Sequence, residues 1–187
     1  EIYTLSLHDA LPIFDYIDYF NWPVIVKPVD SAGSKGVTKV ENKTELPKAI
    51  ETALNASLSK KFVIEDFLDK VGAQSSADIF TVDGKLVYPA YSDQLFDANA
   101  ANPYTPAIEI WPASMEQKFQ ENLTNQLQRL FTLLKVKSGI YNVESRVCSN
   151  GKAYIMEVSP RGGGNRIAEL PDMATGQKLI RNEIRTA

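Results

Sequence analysis

The 187-residue chain has one cysteine, Cys148, and one histidine, His8. A single cysteine excludes an internal disulfide framework and fits a reducing compartment. No apolar run approaches the roughly 18 residues that a spanning helix needs, and no positively charged leader opens the chain. A membrane is therefore excluded as a partner, and a cytoplasmic location is expected. Basic charge is not in excess either: 20 Lys and Arg stand against 23 Asp and Glu, for a net charge of −3. That balance gives no electrostatic case for nucleic acid. Neither GxxxxGK[ST] nor GxGxxG occurs, so the two common glycine-rich nucleotide loops are absent. There is no internal repeat and no low-complexity tract.

What is present is globular in composition, with 44% hydrophobic and 23% charged residues. The length suits one ordinary domain or two small lobes. Residues 1–13 (EIYTLSLHDALPI) share no pattern with the rest of the chain and look like a translated adapter read-through, so they are expected to be non-native and outside the fold. That exclusion takes His8 with it and leaves no histidine for a metal or a general base.

The most informative stretch is residues 139–161 (GIYNVESRVCSNGKAYIMEVSPR). Asn150-Gly151 between runs rich in Val, Ile and Tyr signals a two-residue hairpin turn, because both residues tolerate positive φ. Folding there sets Glu144 opposite Glu157. Alternation then puts Asn142, Glu144, Glu157 and Ser159 on one face, followed by Arg146, and Tyr141, Val143, Val147, Tyr154, Met156 and Val158 on a core face. Opposed residues have Cβ atoms roughly 4.5–5.5 Å apart, and like charges there repel. Something must offset the pair: a divalent cation held by carboxylate and phosphate oxygens, solvent, or Arg146.

Residues 22–28 (WPVIVKP) read as a short buried strand ending in Lys27, followed by a loop of small residues, 29–36 (VDSAGSKG), and a return strand over 37–40. Such a loop can turn several N–H groups toward an anion. An ordinary hairpin is the competing reading, and Lys27, which needs an anionic partner, favours the first. Thr44 is expected to cap a helix burying Leu46, Ala49, Ile50, Ala53 and Leu54. A strand comes next over residues 61–65, then a connector over 66–72. Asp83-Gly84 predicts a hairpin joining residues 73–82 and 85–91. Residues 94–112 read as a long surface loop, a lid or substrate segment. Ser114 with Gln117 predicts a capping box for a long helix whose stripe of Met115, Phe119, Leu123, Leu127, Leu130, Phe131 and Leu134 faces the core. Residues 162–166 read as a flexible basic loop and 177–185 as a final helix.

On these separated motifs, residues 22 to about 181 resemble the ATP-grasp superfamily, in its carbamoyl-phosphate-synthase-like, carboxylate–amine ligase branch. The resemblance implies an α+β fold with two lobes clasping the nucleotide, each with antiparallel sheets and packed helices. The first lobe is expected over residues 14–68 and the second over 69–187. Lys27 matches the strand lysine placed on the nucleotide phosphates. Residues 30–36, with Ser31, Gly33, Ser34, Lys35 and Gly36, match the mobile phosphate flap. Glu65, Asp66, Phe67 and Leu68 look like the linker that reads the adenine edge, and Ile25, Val37 and Met156 like the walls of its pocket. Alternation, however, sends Met156 to the face opposite Glu157. Glu144 and Glu157 match the magnesium ligands, and Arg161, with Arg166, the arginines that hold an acyl phosphate or substrate carboxylate. Ser159 stands where the family usually has Asn, and Gln74 where a Glu often lies near the ribose.

The activity so implied is an ATP- and Mg²⁺- (or Mn²⁺-) dependent C–N ligation of small-molecule carboxylate and amine substrates through an acyl phosphate. Relatives carry an N-terminal domain that this chain lacks, which reads it as a fragment. A homo-oligomer is left open. The alternatives are a nucleotide-binding module or inactive fragment without ligase activity, and a structural α+β domain whose acidic pair is solvated.

Overall fold

The computed structural model describes residues 3–6, 17–100, 106–164 and 166–186. His8 lies outside them. The chain divides into two compact units, Glu1–Leu68 and Asp69–Ala187. Both are α+β with antiparallel sheets, as the sequence predicts.

The first unit is a four-stranded sheet in the order β1 (Tyr3–Ser6), β4 (Lys61–Asp66), β2 (Val24–Pro28), β3 (Thr38–Val40), with helix α1 (Leu46–Ala56) on one face. Strand alternation sends Val24 and Val26 of β2, Phe62 and Ile64 of β4, and Val40 of β3 to the same core. Leu46, Ala49, Ile50, Ala53 and Leu54 meet them at helical spacing, as expected. Thr44 does not cap this helix. Glu45 is the N-cap residue and makes no side-chain cap bond; Asn42 organises the turn instead, its Oδ1 accepting from the Thr44 N–H at 3.1 Å and the Thr44 hydroxyl at 2.5 Å. Tyr3–Ser6, expected outside the fold, pairs in register with residues 61–64 of β4. Edge pairing of this kind uses backbone groups that any extended segment offers.

The second unit is a five-stranded sheet in the order β7 (Pro106–Ile110), β6 (Lys85–Phe96), β5 (Gln74–Val82), β8 (Gly139–Val147), β9 (Ala153–Ser159). Helix α2 (Gln117–Leu134) packs on one face through Leu123, Leu127 and Phe131, against Ala77, Ile79, Tyr91 and Val143. Met115 and Phe119 join that core partly buried. Leu134, at the end of the predicted stripe, is exposed, because the helix stops at Lys135 in a left-handed conformation (φ 53°). Ser114 is not a cap: its N–H is held by the Asp93 carboxylate at 3.0 and 3.1 Å, and the helix opens at Glu116.

Two further expectations are corrected. Residues 94–112 are not one loop, since β6 runs on to Phe96 and pairs with β7, Asp93 opposite Ile110 and Gln94 opposite Glu109. Residues 162–166 lead into an unexpected helix, α3 (Glu169–Thr175), before α4 (Leu179–Thr186). The interrupted sequence there, with Pro171 and Gly176, conceals so short a helix. Among the described residues no helix is long and apolar enough to cross a membrane.

The flap of the first unit contains glycines with different duties. Both lie at positive φ, Gly33 at 64° and Gly36 at 77°. A Cβ on Gly33 would meet open space, whereas on Gly36 it would lie 2.5 Å from the Ala56 Cβ and 3.3 Å from Pro28. Replacing Gly36 by Ala should therefore cost the left-handed penalty plus overpacking, about 2–4 kcal/mol, and Gly33→Ala only about 1–2 kcal/mol. Urea unfolding of the two variants checks this difference.

Candidate functional site

In the first unit, Ile25, Lys27, Val63 and Glu65 alternate away from the α1 core, with Lys39 opposite Ile25 and Glu65 on the other side of it. The Lys27 ammonium is ion-paired to the Glu65 carboxylate, both only about a quarter exposed (28% and 24%). The anion that a strand-end lysine demands is thus supplied by Glu65 in this structure. Lys39 lies over the Phe67 ring, 4.4 Å from its centroid, and bridges to Glu41 at 2.8 Å. Phe67 continues the strand pairing through its N–H to the Pro23 carbonyl, 3.1 Å. Leu68 and Val37 are half-buried and Asp66 is exposed.

The flap is tied at its base. Asp30 accepts from the Ser57 hydroxyl at 2.7 Å, the Ser59 N–H at 2.7 Å and the Leu58 N–H at 3.1 Å. Those hydrogen bonds, from Ser57 first and then Ser59, hold its carboxyl down at about 2. Within the loop the Ser31 hydroxyl donates to the Lys35 carbonyl at 3.0 Å, and Gly33, Ser34 and Lys35 are exposed.

In the second unit, Glu144 does sit directly opposite Glu157 and Asn142 opposite Ser159. The route to that register differs from the expected one. The turn is a three-residue loop: the Cys148 N–H donates to the Lys152 carbonyl at 2.9 Å, and Gly151 has a φ of 73°. Pairs near the turn are consequently offset by one, Ser145 with Ile155 and Arg146 with Tyr154, and the register shifts back between Ser145 and Glu144. Met156 is the extra residue, so that it and Glu157 together oppose Glu144, as in a bulge. Ile155 and Ala153, rather than Met156 and Tyr154, pack into the core. The objection that alternation turns Met156 away from Glu157 is thereby removed.

Around the pair lies a polar network on the sheet face away from α2. Gln74 donates to Glu144 Oε2 and to Gln94 Oε1, both at 3.2 Å, and accepts from Arg146 Nη2 at 2.6 Å. Ser159 donates to Glu157 at 2.9 Å. Burial, reinforced by the charge of Glu157, raises the Glu144 carboxyl above its ordinary range against the pull of Arg146 and Arg161. The oxygen-only donors suit a hard cation such as Mg²⁺ or Mn²⁺. Among the described residues no three His, Cys, Asp or Glu side chains converge, so such an ion would complete its shell with water and phosphate.

Asp78, which sequence reasoning missed, is fully buried and clamps the glycine loop. It accepts from the Gly163 N–H at 2.9 Å and Asn142 Nδ2 at 3.1 Å. Burial raises its carboxyl, with Asn142, Gly163 and Arg161 pulling the other way. Gly163 is required there, since a Cβ would lie 2.7 Å from Asn142 Nδ2 and 3.0 Å from Asp78 Oδ1. The clamp fixes Arg161, whose carbonyl accepts from the Asn142 N–H at 2.8 Å and whose guanidinium donates to the Gly162 carbonyl at 2.9 Å. Arg166 is engaged otherwise, in a two-pronged pair with Glu169 at 2.7 and 2.5 Å. Cys148 is buried, which pushes its thiol upward and away from nucleophilic use. Alternation of Gln74, Ser76 and Asp78 was the signal for the missed face; Glu109 carried none once its strand was read as loop.

The fold belongs to a known class. The ATP-grasp domain profile matches residues 20–169, and the chain is a member of that family. It is 27% identical over 156 residues to the D-alanine–D-alanine ligase of Fusobacterium nucleatum subsp. nucleatum, covering 82% of this chain and 51% of that one. It is 29% identical over 154 residues to the carbamoyl phosphate synthase large chain, C-terminal section, of Aquifex aeolicus, covering 82% and 27%. The solved L-amino acid ligase from Bacillus licheniformis superposes with a TM-score of 0.76 at 18% identity, over 100% of this chain and 42% of that one, and shares the fold. The chain spans about half, or less, of the length of these proteins.

The Asp30 anchor has a pH signature. Its carboxyl is depressed in the folded chain from 3.8 to about 2, so the stability it contributes is present above the unfolded value and lost as pH falls through the folded one. Melting temperatures should show Asp30→Asn less stable than the native chain at about pH 6, the gap closing between about pH 4 and pH 2. A gap that persists unchanged below pH 2 would show that Asp30 acts without its charge.

Proposed function

We propose that the chain is part of an ATP- and Mg²⁺-dependent ligase that activates a substrate carboxylate as an acyl phosphate for attack by an amine. The observation that carries this is the direct opposition of Glu144 and Glu157 within an ATP-grasp fold. Lys27, with the loop of Ser31, Gly33, Ser34, Lys35 and Gly36, would bind nucleotide phosphates, Lys27 exchanging Glu65 for phosphate when the nucleotide arrives. Residues 65–68 with Ile25 and Val37 would hold the base, and Glu144 and Glu157 the metal. Bound magnesium would neutralise phosphate charge.

In the first step a carboxylate oxygen forms a bond to the γ-phosphorus as its bond to the β-bridging oxygen breaks, releasing ADP. The amine nitrogen then bonds to the acyl carbon, phosphate leaves with its electron pair, and the nitrogen loses a proton to solvent. The protein's part is positioning and charge complementarity, with Arg161 holding the carboxylate and the developing phosphoryl charge. Arg166 would join it only by giving up Glu169. No side-chain nucleophile is needed.

Calorimetry with and without Mg²⁺ tests the metal pair. Glu144→Gln and Glu157→Gln should each weaken Mg-ATP binding by at least the roughly 10–100-fold that losing an outer metal partner costs, and leave metal-free ATP binding nearly unchanged. Equal losses in both conditions would remove the metal role. In the full-length protein, Arg161→Lys should lower kcat by about 10–100-fold while sparing the KM for ATP, because an ammonium cannot reproduce a bidentate contact. A loss confined to that KM would move Arg161 to nucleotide binding.

A further inference from the structure

A cavity of about 600 Å³ opens between β7 and α3 within the second unit, lined by Ile108, Glu109, Arg166, Glu169, Leu170 and Met173 among others. Its size falls in the range of small-molecule sites. Its charges are unequal. Arg166 is matched by Glu169 in the two-pronged pair, which leaves Glu109, among the described residues that line the cavity, as the carboxylate without a cation.

Glu109 is also unusual in its hydrogen bonding. Its Oε2 accepts from the Ser92 hydroxyl at 2.9 Å. Its Oε1 is buried and has no donor in hydrogen-bonding geometry among the described residues, although Gln94 lies near. A carboxylate oxygen buried without a donor is costly, and turning it onto a ligand N–H in the cavity relieves that cost. Burial raises the Glu109 carboxyl, and the charges of Glu144 and Asp78 act in the same direction. A cationic ligand would relieve that repulsion too. The rest of the wall, Ile108, Leu170 and Met173, is apolar and suits a hydrocarbon chain.

We propose that this cavity seats the amine partner of the ligation as a primary ammonium on an apolar chain, with Glu109 as the group that binds the ammonium, which gives up one proton to solvent before its nitrogen attacks. Its place in the reaction rests on the ligase reading, but binding at the cavity is measurable without nucleotide, so the two can fail separately.

The probes are 3-methylbutylamine, the uncharged 3-methylbutan-1-ol and the anionic 4-methylpentanoate, titrated into the 187-residue chain and followed by methyl NMR of Ile108, Leu170 and Met173. The amine should bind with saturable shifts at these methyls and at least ten times more tightly than the alcohol or the carboxylate. Glu109→Gln should abolish that preference, while Glu169→Gln should leave the amine ahead. Equal binding of amine and alcohol, a preference unchanged in Glu109→Gln, or shifts that miss these three residues would overturn the proposal. Mg-ATP titrated into the same samples reports separately on the nucleotide. Amine binding by the 187-residue chain, together with no Mg-ATP binding by the full-length protein, would uphold the cavity and sink the ligase reading.

Discussion

Two carboxylates held face to face across neighbouring strands repel by on the order of 3 kcal/mol at an effective dielectric of 20, and the polar face of the second unit is arranged about that repulsion. Glu144 is the more deeply placed of the two, and it takes a hydrogen bond from Gln74. Gln74 in turn is held by Arg146. An amide at position 74 matters here: a third carboxylate would add to the charge, whereas glutamine donates to Glu144 and accepts from Arg146 at once. The opposition is therefore partly offset within the chain, by the Gln74 hydrogen bond and the charges of Arg146 and Arg161.

The same face is stiffened from below. Asp78 reaches from the central strand to the glycine loop, and the close approach of Gly163 lets a buried carboxylate serve as a staple between β5 and the segment after β9. In the first unit the flap shows the opposite distribution of rigidity. Asp30 fixes one end to the residues after α1, and Gly36 fixes the other against Ala56. Ala32, Gly33, Ser34 and Lys35 between them are exposed. The loop is held at its two ends and its middle faces solvent.

Much of this is legible in the sequence because periodicity is strong where a face is buried. The apolar positions of α1 are readable to the residue, and the opposition of Glu144 and Glu157 follows from a turn at Asn150-Gly151, although the structure reaches it through a three-residue loop whose offset the Met156 bulge cancels. What escapes has physical reasons. The polar residues of β5 and β6 are buried only because a neighbouring strand and loop cover them, so Asp78 and Gln94 look like ordinary surface residues in a linear sequence. β7 is hidden by the prolines and asparagines of residues 94–112, which dominate local turn propensity although the pairing partner is β6. Caps are the weakest reading: Thr44 and Ser114 have the right chemistry, but Asn42 and Asp93 supply the partners that decide the local geometry. The Met156 bulge leaves no mark in residue type at all.

That bulge makes the acidic pair depend on two places in the hairpin and not on one. In a regular ladder the number of residues at the tip dictates the phase of every pair down to the open end, so a change in the tip would rotate an acid out of the site. Here the offset introduced by the three-residue loop is cancelled at Met156, immediately before Glu157. The acidic pair therefore rests on two offsets that cancel, one at the tip and one at Met156, and removing either alone would set Glu144 opposite a residue other than Glu157.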